Sequence, residues 1–154
     1  MTRALGGALV ALLAGALAWP VAAAPLVLNA WMRPAAAGAA SADAYADVVT
    51  GSPLTLARVR TPAARAVEIV VLDPKDPSAT PKVVDMLALR AGETRFALRG
   101  SVLRLVDIRS TLSSEHPVPL AFEFVDAAGV RSVVDVQVQV RGLFAPQPAP
   151  PAKK

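Results

Sequence analysis

The sequence predicts an all-β protein, a Greek-key sandwich of about eight or nine short strands. Three observations carry this reading. Val-rich runs alternate with polar residues at a period of two, Pro- and Gly-bearing turn signals separate those runs, and no stretch demands a helix longer than a turn.

Taken in order, Met1 to Ala23 show Arg3, then an Ala/Leu/Gly/Val run from Ala4 to Leu17, then small residues, which is the layout of a secretory signal peptide. Val21 and Ala23 suit the specificity positions before a cut after Ala23. Residues 24–142 are then the folded domain, exported to the periplasm. If the segment stayed uncleaved it would be a membrane anchor, and the chain's sole membrane contact. The sequence has no Cys, so lipid attachment through a Cys is excluded and the domain must stand without disulfides.

Strands are expected at 26–33, 43–50, 54–60, 66–73, 82–89, 94–98, 101–109, 117–125 and 130–141. The last is the clearest, because Val134, Val136, Val138 and Val140 alternate with Asp135, Gln137, Gln139 and Arg141. A turn at Asp126 to Gly129 joins it to a strand whose Leu120, Phe122 and Phe124 share one face. Further turns are expected at 51–53, 73–77, 91–93 and 113–117, where Pro or Gly supplies dihedrals that strands do not use. Ala35 to Ala46 reads as a loop entering a strand at Ala44 and Tyr45. Residues 143–154, rich in Pro and ending in Lys153 and Lys154, read as an extended, disordered tail.

Charge argues against a nucleic-acid partner. The sequence pI is about 10.1, but removing Arg3, Lys153 and Lys154 from the 16 basic residues leaves thirteen against 12 acids. The basic residues are interleaved with acids, and aromatics make up only 5% of the chain, so no stacking platform is available.

Chemistry-bearing residues are few. His116 is the single His and lies in a Ser/Glu/Pro loop, where exposure is the ordinary outcome. Met86 sits among Val83, Val84, Leu87 and Leu89 and reads as a gap-filling core thioether. Met32 follows Trp31 near a strand end. Glu68, Asp85, Asp107, Glu123 and Asp135 read as outward-facing strand acids. With no Cys, one His, no Gly-Xaa-Ser-Xaa-Gly elbow and no phosphate-cradling loop, an enzyme is not expected.

Four stretches, in order, resemble the PCu(A)C family of periplasmic copper chaperones: Asn29 to Arg33, Pro62 to Ile69, Leu87 to Thr94 and Val118 to Phe124. The resemblance covers roughly residues 26 to 140 and implies a cupredoxin-like sandwich that carries Cu(I) toward the copper A centre of cytochrome oxidase. It also implies four His or Met ligands, soft donors that suit Cu(I). Carried over one at a time, those positions fall on Val70, on or near Pro81, on Val102 and on Arg104. None offers a metal donor: Val and Pro have no side-chain lone pair, and Arg is a permanent cation. No resident cofactor is therefore expected.

Three functions stay open at the level of sequence. The first is a copper-chaperone-like protein with a degenerate site that acts on a periplasmic protein partner, such as a copper chaperone or an oxidase assembly factor. The second is a copper(I) chaperone with a relocated site built from Met32, Met86 or His116. The third is a structural or adhesion-like sandwich unrelated to copper.

Overall fold

The computed structural model describes residues 23–142 apart from Pro74, Pro77 and Arg99. The signal-peptide reading, all but Ala23, and the tail reading of 143–154 lie outside the described residues. Ten strands follow one another: β1 (Leu26–Met32), β2 (Ser41–Thr50), β3 (Leu54–Arg60), β4 (Ala64–Val71), β5 (Lys82–Val84), β6 (Leu87–Leu89), β7 (Gly92–Phe96), β8 (Val102–Ile108), β9 (Val118–Asp126) and β10 (Arg131–Val140).

The strands form two layers joined at one seam. The first has the order β5-β4-β8-β2-β1 and the second β10-β9-β3-β6. β7 and β8 share one edge of β2, β8 pairing Ser41 to Ala44 and β7 pairing Ala46 to Thr50. The seam is the parallel pair β1–β10, with Trp31 opposite Gln139 and Met32 opposite Val140, while every other named pair is antiparallel.

Alternation explains why these segments are strands and which side they bury. Leu120, Phe122 and Phe124 of β9 and Val138 and Val140 of β10 are buried, and they meet Met32, Ala44, Val48, Ile69, Leu103 and Leu105 from the first layer. The β9–β10 connection is the turn read from the sequence. Gly129 has φ +82°, a left-handed conformation that Gly adopts without a Cβ penalty. The Asp126 Oδ1 accepts from the amides of Ala128 and Val130 at 2.9 and 2.8 Å, which closes the turn.

The structure corrects four expectations. The strand expected over 82–89 is two strands. The chain turns at Asp85 and Met86 and leaves the edge of one layer for the edge of the other, so β5 pairs β4 and β6 pairs β3. Met86 sits on that corner and is 62% exposed, so it fills no core gap. The strand count rises accordingly to ten. Finally, β2 already starts at Ser41, because Ser41 to Ala44 are held by β8 rather than left as a loop, and Ala35 ahead of it bridges Leu112.

Candidate functional site

The outer face of the first layer carries two rows of side chains that cross its strands. Trp31 lies opposite Tyr45, Val102 opposite Val70, and Val70 opposite Val83. Ala44 pairs with Leu103, so the next residues along, Tyr45 and Val102, complete an apolar row from β1 to β5. Although this row points away from the core, Tyr45, Val70 and Val102 are only 3%, 3% and 8% exposed and pack with Trp31 as a cluster of their own. The Trp31 and Tyr45 rings stack with centroids 4.3 Å apart and planes tilted by 31°.

The second row is ionic. The Arg33 amide donates to the Asp43 carbonyl at 3.0 Å, Asp43 lies opposite Arg104, and Arg104 lies opposite Glu68. Arg104 Nε donates to Asp43 Oδ1 at 3.1 Å. Arg33 Nε is buried and has no hydrogen-bond partner among the described residues. Burial pushes the Tyr45 phenol above its ordinary range, Arg33 opposes the shift, and the Asp43 carboxylate adds to it.

Beside the aromatic pair lies a groove of about 310 Å³ lined by Asn29, Trp31, Tyr45, Asp47, Arg95 and Leu98. Asn29, at φ +50°, marks a bulge in β1 that resets the register between Leu28 and Trp31. Its Nδ2 donates to Asp47 Oδ2 at 2.7 Å, and Arg95 Nε donates to Asp47 Oδ1 at 3.1 Å. A second, larger cleft of about 560 Å³ opens where β3 and β4 fail to pair, lined by Arg58, Val67, Ile69, Val84, Asp85 and Met86 among others.

Three of the four positions singled out from the sequence meet on one face. Val70 and Val102 are cross-strand partners in the apolar row, and Arg104 occupies the ionic row next to them. Pro81 is exposed and lies just ahead of β5, outside both rows. These side chains do not fit copper, because two valines and a proline offer no donor and Arg104 brings a cation already paired with Asp43. Met32, Met86 and His116 are spread over separate elements. Met32 is fully buried in the core, Met86 is on the exposed β5–β6 corner, and His116 is exposed in the turn between β8 and β9. Among the described residues no group of three His, Cys, Asp or Glu side chains is placed to hold a metal ion.

Sequence reasoning missed the Trp31–Tyr45 stack. Its signal was the outward set of β2, where Tyr45 sits between Asp43 and Asp47, two polar residues on the face that should be wet.

Three solved structures share this fold. The "Copper-bound PCuAC domain from PmoF2" is 20% identical with a TM-score of 0.59, covering 78% of this chain and 96% of that one. The "Apo PCuAC domain from PmoF1" is 18% identical at a TM-score of 0.57, and the "apo PmoF2 PCuAC domain" 20% identical at 0.58, covering 78% and 77% of this chain. Among curated proteins none matches. The family profile described as "Putative lipoprotein LpqE-like" matches residues 26–140, although this sequence has no Cys to carry a thioether-linked lipid. That match runs from the first strand to the last, and the chain belongs to the LpqE-like family, built on the PCuAC-type cupredoxin-like β fold.

Proposed function

We propose that this is a periplasmic, copper-chaperone-like protein with a degenerate copper site, exported through a cleavable signal peptide and acting by protein contact in copper handling or oxidase assembly. The observation that carries the reading is the apolar row Trp31, Tyr45, Val102 and Val70, which occupies the face where the resemblance implies Cu(I) ligands. Trp31, the half-buried end of that row, rests on Tyr45 and opens onto the groove shared with Asp47 and Arg95, and an apolar centre with ionic groups at its margin is the composition of a protein-docking surface. The partner is a periplasmic copper chaperone or an oxidase assembly factor, and the role is that of a binding protein rather than an enzyme.

A Cu(I) competition titration of residues 24–154 against a chromophoric chelator, under reducing conditions, tests the reading. The expected result is no competition at micromolar protein. One-to-one binding below micromolar would overturn it and direct attention to Met32, Met86 and His116.

A further inference from the structure

The ionic row runs one strand further than Arg33. β10 lies parallel to β1 with Met32 opposite Val140, and the Arg141 amide donates to the Met32 carbonyl at 2.8 Å. Met32 and Val140 both point into the core, so the next residue on each strand, Arg33 and Arg141, points outward, and the two stand side by side, one strand spacing of ~4.8 Å apart. From β10 to β4 the row then reads Arg141, Arg33, Asp43, Arg104 and Glu68. The two acids stand on either side of Arg104, and Asp43 Oδ1 accepts from Arg104 Nε at 3.1 Å. The surplus positive charge is thus left at the seam, where two arginines adjoin.

No side-chain carboxylate of the protein neutralises this pair. All 12 Asp and Glu side chains fall within the described residues, and the ion pairs they form are with Arg60, Arg65, Arg95, Arg104 and Arg131. Arg33 and Arg141 are each half-buried, and Arg33 Nε is shut off from solvent with no acceptor among the described residues. A guanidinium withdrawn from water needs a counter-charge, and two like charges on neighbouring strands repel unless something negative lies between them. The Tyr45 phenol, which feels Arg33 both as a charge and as a hydrogen-bond donor, puts a third polar group on the same patch. Groups that approach from β1, β2 and β10 in different directions suit a tetrahedral anion with several oxygens better than a planar carboxylate, which one Arg can satisfy alone.

We propose that Arg33 and Arg141 form a binding site for a small tetrahedral oxyanion, of the phosphate or sulfate type, on the outer face of the β1–β10 seam. The bound ion neutralises the pair and ties the first strand to the last from outside the core. The inference goes beyond the proposed function and holds whether or not copper binds.

Equilibrium dialysis of residues 24–154, which hold the whole core cluster, against labelled inorganic phosphate at fixed ionic strength tests the site. Saturation at one phosphate per chain is expected, with half-saturation at about 1 mM or below. Arg141→Gln and Arg33→Lys should each weaken binding roughly tenfold or more, through a lost charge-assisted hydrogen bond in the first and a lost guanidinium fork in the second. Arg58→Gln, which removes an exposed arginine of the second layer, should leave binding unchanged. Melting curves recorded without phosphate report that each variant is folded. Sulfate should displace phosphate, and acetate at the same concentration should not. Sulfate should also push the Tyr45 phenol further up, because it masks the Arg33 charge that holds it down. No saturable uptake would overturn the proposal, and so would unchanged binding in the folded Arg33 and Arg141 variants. Equal losses from Arg58→Gln and Arg141→Gln would overturn it as well, by assigning the attraction to net charge alone. Displacement by acetate would give the pair to a carboxylate and sink the tetrahedral assignment.

Discussion

The two layers of the sandwich turn different surfaces outward. On the second layer the outward residues of β3 and β10 are mostly charged or polar and exposed: Arg58, Arg60, Arg131, Asp135 and Gln137. The outward set of β9 is mixed, with Pro119, Ala121 and Val125 around a largely covered Glu123 that is bonded to Arg131. Val133 interrupts this face and is 51% exposed. On the first layer an outward aromatic ring at the middle of β2 and outward valines near the end of β4 and at the start of β8 are nearly as buried as the core behind them. Alternation along a strand fixes which side a residue faces, not whether that side is dry. A dry outward cluster built from four strands has no role in joining the layers, and that is the reason to look for what it meets.

The comparison can be broken or sharpened by substitution, starting with the core that both layers share. Phe122→Ala empties a fully buried position beside Phe124, whose ring centroid lies 6.4 Å away. It should cost about 3–5 kcal/mol in urea or thermal unfolding. If the outward cluster is a second small core, Tyr45→Ala should cost about 2 kcal/mol. A loss as small as that of a surface residue would mean that the cluster is merely covered, not packed.

The same cluster should show in alkaline titration. The chain has one Tyr, so phenolate absorbance reports Tyr45 alone, and ionisation should begin above the value of about 10 seen in unfolded peptides. The unfolded state then loses its phenolic proton first. Stability from this group is present below that pH and fades as pH climbs toward the raised folded value. A phenol that titrates at the unfolded value would contradict the burial of Tyr45. The smallest effects belong to the other face: Val133→Thr and Arg131→Ala should each stay within about 0.5 kcal/mol, the latter with little dependence on salt.

How much of this was legible depends on the distance over which each feature is decided. The alternating valines of β10, the Phe122 and Phe124 face and the Asp126 to Gly129 turn are local patterns, and all three could be read directly. The break at Asp85 and Met86 could not, because Lys82 to Leu89 holds no Pro or Gly turn signal and a lone Asp85 among apolar residues reads as an outward strand position. The turn is imposed by two sheet edges that the run must reach in succession. Met86 was misread for the same reason. The Trp31–Tyr45 stack needs a register that depends on the bulge at Asn29, whose left-handed backbone leaves no periodic trace. Of the candidate site, the identities at Val70, Val102 and Arg104 were readable, but their place in a continuous dry row was not.

The parallel pairing of β1 with β10 also sets a timetable. Trp31 and Gln139 sit at opposite ends of the described fold and yet are neighbours, so the ring of strands cannot close until nearly all of the chain is present. Contacts this remote in sequence form late and slowly. A chain made from its N-terminus forward thus holds β1 without its last partner throughout synthesis. Folding is completed by the strand that arrives last.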